Sequence, residues 1–369
     1  MRIGSTLAAA APLPGARPPR RPNMPAPWGA SVHRVAVTQR NIRDSLTTRI
    51  GYHASHEQFA PGELLARVVQ AQAAGFGAGF CSDHFNPWSE RQGHSGYAWS
   101  WLGAAMQATT LPFGVVCAPG QRYHPAIVAQ AAATLEQMFP GRLWLAIGSG
   151  EFVNEAITGD PWPLKADRNA RLRECADIMR ALWAGETVTH HGHVHVEDAR
   201  LYTLPERPPL LVGAAVTAKT ARWVGEWADA LITVTRPDQG HREVADAFRD
   251  GGGAGKPMLL KAQVAYAEDE DAALHGAWDQ WRTNIFDSSV LADLRTVAQF
   301  DALGEFVRPE DLRGPVRISS DPGRHAAWLA ADLELGFDVV SVHNVIKEQQ
   351  RFIDVFGERV LPQLGNVAR

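Results

Sequence analysis

The side chains best suited to chemistry in this sequence follow two short apolar runs. Asp83 and His84 come directly after the first run, Trp88 lies four residues beyond the histidine, and Glu151 ends a Gly-Ser-Gly-Glu turn after the second run. Histidine and carboxylate side chains can exchange protons with a bound molecule near neutral pH. Each residue alone could also cap a helix or line a pocket rim, but together they predict one shared functional site.

The elements that must position these residues are short strands joined by helices. After residue 49, short apolar runs alternate with longer helical patterns, which predicts an α/β fold of the (β/α)8 TIM-barrel type. The predicted strands are residues 50–53, 79–82, 113–117, 143–147, 210–213, 231–234, 259–264 and 339–342. The predicted helices are residues 62–74, 126–138, 171–183, 219–227 and 324–335. In such a barrel the loops after the carboxyl ends of the strands carry the chemistry, so the two motifs should share one mouth.

Two segments interrupt this alternation. Residues 187–202 combine alternating histidines with a His-Gly turn, which predicts a surface hairpin before the fifth strand. Residues 268–313 are partly helical and fall between the seventh and eighth strands. The predicted barrel therefore carries two insertions.

The composition indicates which kinds of molecule this protein could bind. The 369 residues carry a net charge of −4, and no block of Lys or Arg is interleaved with aromatics, which argues against nucleic-acid or membrane-surface binding. The three cysteines are widely spaced and form no CxxC pair, which predicts neither a disulfide framework nor a zinc cluster. No apolar run approaches the roughly 20 residues of a membrane-spanning helix. We therefore expect a cytoplasmic protein that acts on a small molecule.

The beginning of the chain differs from the rest in composition. Residues 1–41 are rich in Ala, Pro, Gly and Arg, include Pro-Pro-Arg-Arg-Pro, and show no hydrophobic periodicity. We predict a disordered extension over residues 1–41, followed by one barrel domain over residues 49–364. A start codon assigned too far upstream would explain the extension equally well.

Further patterns could bind a metal ion or a phosphate. A histidine cluster lies in the predicted hairpin: His190, His191, His193 and His195. We interpret it as a solvated face, because a hairpin away from the strand ends lacks the supporting partners that metal ligands need. The Gly-rich residues 251–255 lack the Lys-Ser/Thr of a phosphate loop and predict a flexible turn. Gly213, Ala214 and Ala215 precede a predicted helix and are better candidates for binding a cofactor phosphate.

Several short motifs occur in a fixed order along the chain. They are residues 51–55 with Gln58 and Phe59, residues 82–85 with Trp88, Arg122 and Tyr123 with Pro125, residues 148–151 with Asn154 and Glu155, and residues 171–174. In this order they resemble the luciferase-like flavin oxidoreductase superfamily. More narrowly, they resemble the glucose-6-phosphate dehydrogenases that depend on the deazaflavin coenzyme F420. The resemblance runs from about residue 50 to residue 364 and is weakest in the second insertion.

The resemblance implies roles for the residues of the predicted site. His84 and Glu151 would handle protons beside the reactive ring of a flavin-type cofactor, and Trp88 would lie against the active centre. Asp83 and Asn154 would help to bind that ring. The chain also resembles a branch of this group that uses FMN, so the expected cofactor is FMN or coenzyme F420. The implied reaction is hydride transfer to or from a small organic substrate.

The resemblance has two further consequences. It implies a non-proline cis peptide between Val116 and Cys117, beneath the ring. The related sugar-phosphate dehydrogenases bind the substrate phosphate with basic residues where this chain has Pro237, Gly314 and Pro315. Glucose 6-phosphate is therefore not expected as the substrate. We expect the protein to be a homodimer.

Alternatives stay open at the level of the sequence. A flavin-dependent monooxygenase would use the same barrel and a flavin cofactor. A metal-dependent barrel hydrolase would use His53, His84 and Asp83 around a metal, although no His-x-His follows the first strand. A non-catalytic flavin-binding relative is disfavoured by the joint presence of His84, Trp88 and Glu151.

Overall fold

The computed structural model describes residues 50–365. The predicted disordered extension, residues 1–41, lies outside the described residues. Within residues 50–365 there are eleven strands: β1 Ile50–Ala54, β2 Ala78–Ser82, β3 Phe113–Cys117, β4 Leu143–Ile147, β5 Val188–His191, β6 His195–Ala199, β7 Leu210–Ala214, β8 Ala230–Val234, β9 Met258–Ala265, β10 Arg317–Ile318 and β11 Val339–Asn344.

The strands β1, β2, β3, β4, β7, β8, β9 and β11 form a closed parallel barrel. Each strand of this set pairs with the next, and β11 pairs with β1 to close the ring. The predicted eight-stranded TIM barrel is confirmed, and each observed strand lies within two residues of its predicted bounds. The prediction succeeded because strands of a parallel barrel are buried on both faces and therefore read as continuous apolar runs.

Helices cover the outside of the barrel. They span Pro61–Ala73, Ala98–Ala108, Pro125–Met138, Phe152–Glu155, Lys165–Trp183, Ala218–Gly225, Gly240–Phe248, Glu270–Trp281, Ser288–Leu291, Val297–Gly304, Pro322–Glu334, Gln350–Val355 and Leu361–Leu364. Every predicted helix is among them. The helix Ala98–Ala108 was not predicted, because it has no side-chain cap and no charged residue in its first turn or last turn.

Aromatic side chains fill the barrel interior. Phe80 of β2 stacks on Trp144 of β4, with ring centroids 5.0 Å apart and planes at 8°. Gly114 of β3 leaves the space for this indole, because a Cβ atom there would lie 2.0 Å from the Trp144 ring. Val212 and Ile232 extend the same interior cluster. The packed interior forms a floor beneath the mouth of the barrel.

Both predicted insertions are present. β5 and β6 pair antiparallel and form the predicted hairpin. His190 of this hairpin lies 2.9 Å from the carboxylate of Glu174, on the helix Lys165–Trp183. The second insertion carries the helices Glu270–Trp281 and Val297–Gly304 and contributes to a small hydrophobic core of its own. After it, β10 pairs with β9 outside the ring.

Two expectations concern metals and membranes. Within residues 50–365, no group of three or more His, Cys, Asp or Glu side chains is placed to hold a metal ion. None of the helices in this part of the chain has both the length and the apolar character that a membrane crossing requires.

Gly213, which the sequence analysis assigned to a cofactor phosphate, packs against the helix Ala218–Gly225. A Cβ atom at this position would lie 2.3 Å from Cγ1 of Val224 and 3.1 Å from the Cβ of Ala228. The preceding Val212 belongs to the barrel interior, so Gly213 faces outward, toward the helix Ala218–Gly225. Close packing of strand and helix therefore explains the glycine, and its Cα does not face the mouth.

Replacing Gly213 by Ala should destabilise the fold. The added methyl group would overlap Val224, and overpacking of this kind typically costs about 1–3 kcal/mol. The matched control is Gly62→Ala in the helix Pro61–Ala73, where the new Cβ meets no atom within 4 Å. That change should raise the unfolding free energy by about 0.5–1 kcal/mol. Urea unfolding measures both values, and a wild-type midpoint for Gly213→Ala would contradict the packing argument.

Candidate functional site

A cleft of about 1090 Å³ opens at the carboxyl ends of the barrel strands. The predicted site residues that line it are Asp83, His84, Trp88, Val116, Cys117, Glu151, Asn154, Ala214 and Ala215. Gly213 is not among the lining residues, for the packing reason given above. The fold therefore brings the two titratable motifs into one cleft.

His84, in the loop after β2, is held by a carboxylate from the loop after β1. Its Nδ1 lies 2.6 Å from Oε1 of Glu57, whose side chain is only 4% exposed. Ser55 Oγ donates a hydrogen bond to the other oxygen of Glu57 at 2.8 Å. Burial acts to raise the pKa of Glu57, but His84 outweighs it and the pKa lies well below its usual value. Glu57 is therefore an anion that keeps a proton on Nδ1 of His84 and leaves Nε2 for other partners.

Glu151, after β4, faces the second ring nitrogen of His84. Nε2 of His84 lies 3.9 Å from Oε2 of Glu151. Burial raises the pKa of Glu151, and His84 and Lys261 offset part of this effect. Burial also opposes the charge on His84, but Glu57 and Glu151 outweigh it, so the pKa of His84 is raised. Both groups therefore keep a proton to higher pH than they would in water.

Asn154 fixes the loop that carries His84. Its Oδ1 accepts hydrogen bonds from the backbone N–H of Phe85 at 2.9 Å and of the following residue at 3.1 Å. Further along this loop, Trp88 contacts the imidazole of His84 edge-on, with centroids 4.9 Å apart. Trp88 is itself held against Phe300, at 5.3 Å between centroids. Asn154 thus positions the loop, and Trp88 forms a rigid wall beside the histidine.

Asp83 is paired with Arg122 from the loop after β3. Nη2 of Arg122 donates to the Asp83 carbonyl at 2.6 Å and lies 3.4 Å from Oδ2. Nε of the same guanidinium lies 3.6 Å from Glu155, so it is shared by two buried carboxylates. Burial raises the pKa of Asp83, an effect that Arg122 opposes. The Asp83 side chain is fully buried, and hydrogen bonds to Tyr123 and to the backbone of Ala98 also act to lower its pKa.

Glu57 and Lys261 belong to the site but were not predicted. Lys261 lies within β9 and lines the cleft, with Nζ 5.3 Å from the centre of the Trp281 ring. Burial lowers the pKa of Lys261, while Glu57 and Glu151 act to raise it. A lysine inside a largely apolar strand was the available signal for Lys261. The signal for Glu57 was weaker, because a glutamate in a polar loop is common.

The residues of the alternative metal site do not converge. Asp83 and His84 have the partners described above. His53 is buried, with its ring 4.3 Å from that of His343, and burial holds the pKa of His53 well below its usual value. The three side chains therefore have separate environments.

The segment after β7 reaches the cleft with small side chains. Ala214, Ala215 and Thr217 line the cleft just before the helix Ala218–Gly225. Thr217 caps this helix by accepting a hydrogen bond from the backbone N–H of Thr220. Besides Lys261, the Lys and Arg residues that line the same cleft are Lys165, Arg168, Arg173 and Lys219. These cations, which the sequence analysis did not single out, would favour an anionic ligand.

Val116 and Cys117 end β3 and line the cleft. No cis peptide bond occurs within residues 50–365, so the cis bond expected between these two residues is absent and that prediction is wrong. Both residues continue the ladder to β4, with Val116 opposite Ala146 and Cys117 opposite Ile147. Regular strand pairing of this kind uses trans peptide bonds.

Comparison with known proteins agrees with this arrangement. The family model for luciferase-like monooxygenases matches residues 45–338. An F420-dependent glucose-6-phosphate dehydrogenase of Beutenbergia cavernae is 36% identical over 327 residues, which cover 86% of this chain and 97% of that protein. The protein of the same name from Microbacterium testaceum is 35% identical over 332 residues, covering 87% of this chain and 98% of that protein.

Solved structures show the same relationship. An F420-dependent secondary alcohol dehydrogenase, in complex with an F420–acetone adduct, is 28% identical with a TM-score of 0.79, covering 86% of this chain and 99% of that one. The coenzyme F420-dependent tetrahydromethanopterin reductase of Methanopyrus kandleri is 17% identical with a TM-score of 0.70, covering 86% and 99%. At that identity the second comparison supports the fold alone.

The barrel and its proton-handling mouth define a TIM-barrel enzyme. The chain belongs to the luciferase-like monooxygenase family, because the family model covers most of its length and relatives above 30% identity match it nearly end to end. The protein is thus a luciferase-like oxidoreductase, and the resemblance seen in the motifs is confirmed.

Replacing Glu57 by Gln should lower the pKa of His84. The change removes the anion that favours the imidazolium, so the raised pKa should fall to the usual 6.5 or below. NMR titration of the His84 ring measures this value. The control is Glu197→Gln, at an exposed carboxylate beside His191 on the hairpin, which should leave the His84 titration unchanged. An unchanged pKa in Glu57→Gln would show that the pair does not control His84.

Proposed function

We propose that this protein transfers hydride between coenzyme F420 and the carbon of a small alcohol or carbonyl compound. The observation that carries the proposal is the placement of His84 and Glu151, 3.9 Å apart, in a cleft of about 1090 Å³. Hydride transfer at an alcohol carbon must be matched by proton transfer at its oxygen. The names of the relatives that are 36% and 35% identical support the class of cofactor.

The cleft suits a cofactor with a planar ring and an anionic chain. Small residues such as Ala118 and Gly148 leave room for a planar ring at the strand ends. When bound, the cofactor supplies the group that accepts or donates hydride. The residues that we assign to the ring are Asp83, Val116, Cys117 and Asn154, and those assigned to the phosphate are Ala214, Ala215 and Thr217.

His84 and Glu151 manage the proton of the substrate oxygen. Because the Glu57 carboxylate lies 2.6 Å from Nδ1 and favours a proton there, Nε2 is the nitrogen of His84 that can exchange a proton with the substrate. Charged His84 can donate a proton to a carbonyl oxygen, and neutral His84 can remove one from a hydroxyl group. Since the pKa of His84 is raised, reduction should become faster as the pH falls through that pKa, and oxidation faster as it rises.

The charged residues of the cleft favour coenzyme F420 over FMN. FMN ends at its phosphate, whereas F420 continues into an acidic lactyl-glutamate tail. Lys165, which contacts Ser149, and Arg173, which is paired with Asp177 at the surface, line the cleft. Lys219 also lines it and is close to the phosphate segment in the sequence. Cations beyond those needed for one phosphate would attract the additional carboxylates of the longer cofactor.

The uncharged residues Pro237, Gly314 and Pro315, where the related sugar-phosphate dehydrogenases have basic residues, support a substrate without a phosphate group. A second cavity of about 500 Å³ is lined by Pro237, Gly314 and Pro315, among other residues. Arg317, at the same cavity, is bound to Asp332 by contacts of 2.5 and 2.8 Å. Arg236 there donates to the carbonyl of Val216 at 2.5 Å. The guanidinium groups of Arg236 and Arg317 are thus engaged with protein groups, and Arg242 is the third arginine that lines this cavity.

We also propose that the protein is a cytoplasmic homodimer. Large apolar side chains such as Leu164, Tyr202 and Phe306 are exposed, which supports a surface for association. Sedimentation equilibrium tests the dimer, and cell fractionation tests the location.

F420 should bind more tightly than FMN in absorbance titrations of the purified protein. The double variant Lys165→Gln, Arg173→Gln should weaken F420 roughly three- to tenfold and FMN less, because exposed charge pairs each contribute up to about 1 kcal/mol. Lys347→Gln, at an exposed lysine outside the cleft lining, is the control. Tighter binding of FMN, with oxygen consumed during turnover, would instead support a flavin-dependent monooxygenase.

His84→Ala and Glu151→Gln should each lower turnover by about two orders of magnitude or more, as expected for general acid–base groups. Both residues line the cleft, so their replacement should leave the fold intact, as circular dichroism can verify. The matched controls are His193→Ala and Glu197→Gln on the exposed hairpin. If both site variants kept near wild-type turnover, the acid–base roles proposed for His84 and Glu151 would be wrong.

A further inference from the structure

Lys261 lies on the inner face of the barrel. Along β9, Leu260 and Ala262 belong to the core between barrel and helices, whereas Leu259 belongs to the barrel interior. Because side chains alternate along a strand, Lys261 shares the inner face with Leu259. At that position its side chain lines the cleft that contains His84.

The ammonium group of Lys261 has no hydrogen bond or salt bridge to another residue in the described part of the chain. Nζ lies over the face of the Trp281 ring, 5.3 Å from its centre. Nζ is not one of the fully buried polar atoms that lack a hydrogen-bond partner, so the ammonium group is accessible from the cleft. Its three N–H donors are therefore available to an oxygen atom of a molecule in the cleft.

The charges around the cleft restrict which oxygen Lys261 can bind. The anions Glu57 and Glu151 balance the cations His84 and Lys261 when all four groups are ionised. A substrate carboxylate would add a negative charge beside Glu57 and, whenever Glu151 is ionised, beside a second carboxylate, which is unfavourable. A hydroxyl or carbonyl oxygen is neutral when it binds and gains negative charge only during hydride transfer. The donors of Lys261 thus match the charge that develops in the transition state.

We propose that Lys261 binds the reacting oxygen of the substrate and stabilises the charge that develops on it, which makes Lys261 a further catalytic residue. This inference rests on the proposed function. In the oxidation of an alcohol, the C–H bond breaks and its hydrogen leaves with both electrons to the oxidised F420. The O–H bond breaks, its proton passes to Nε2 of neutral His84, and the C=O bond forms. Lys261 keeps its own proton and donates a hydrogen bond to the oxygen throughout.

A binding experiment tests this role without turnover. The test compound is isobutyramide, a neutral carbonyl compound that does not accept hydride, and its dissociation constant is measured by NMR on protein loaded with the cofactor that binds. Lys261→Met should weaken binding about tenfold, because one charge-assisted hydrogen bond is lost. Lys261→Arg should retain most of the affinity, and Lys347→Met, on an exposed lysine, should retain all of it. No binding to the wild type, or equal affinity in Lys261→Met, would overturn the proposal.

Kinetic measurements separate a catalytic role from a structural one. Stabilisation of developing charge should make the loss in kcat/KM, about 100-fold, larger than the loss in isobutyramide affinity. A purely structural role would lower the melting temperature and reduce both quantities alike, which would overturn the proposal. If Lys261→Met does not fold, Lys261→Gln takes its place in both measurements.

The two proposals fail in different ways. If the wild type transfers hydride and Lys261→Met does so equally well, the role of Lys261 is wrong and the proposed function stands. If no cofactor supports hydride transfer but Lys261→Met still loses isobutyramide affinity, the proposed function is wrong and Lys261 remains the residue that binds a neutral oxygen.

Discussion

The 2.6 Å contact between Nδ1 of His84 and Oε1 of Glu57 is the interaction on which the rest of the site depends. It joins the loops after β1 and β2 at the mouth of the barrel. Such a buried ion pair contributes little net stability, because the cost of removing both charges from water offsets their attraction. The pair instead determines which nitrogen of His84 is reactive. Because the Glu57 carboxylate lies beside Nδ1, proton exchange by His84 takes place at Nε2, the nitrogen that faces Glu151.

The other charged groups at the mouth are arranged around this pair. Arg122 lies between Asp83 and Glu155, so two further buried carboxylates have a cation. His53 and His343 lie among these groups, and burial lowers the pKa of each well below its usual value, which keeps both neutral. Lys261 differs from them, because residues 50–365 provide its ammonium with no hydrogen-bonding partner. The mouth therefore contains two groups that can carry a proton, His84 and Glu151, and one cation, Lys261, whose N–H donors have no partner in the described part of the chain.

The sequence by itself determined the barrel and the main titratable residues of its mouth. Apolar runs that alternate with helical patterns specify the parallel strands, because burial on both faces demands apolar residues along the whole strand. The parallel strands of a closed barrel all end at the same side. Asp83 and His84 after β2 and Glu151 after β4 were thus expected to meet, and they line one cleft.

Only the tertiary structure decided which groups are partners within that cleft. Glu57 contacts His84 because β1 and β2 pair in one particular register, with His53 opposite Phe80. The inward direction of Lys261 likewise follows from the closure of the barrel, and the role of Gly213 follows from its contact with Val224. A local pattern encodes the periodicity and burial of an element, whereas contacts of 2–4 Å depend on neighbours that are distant in sequence.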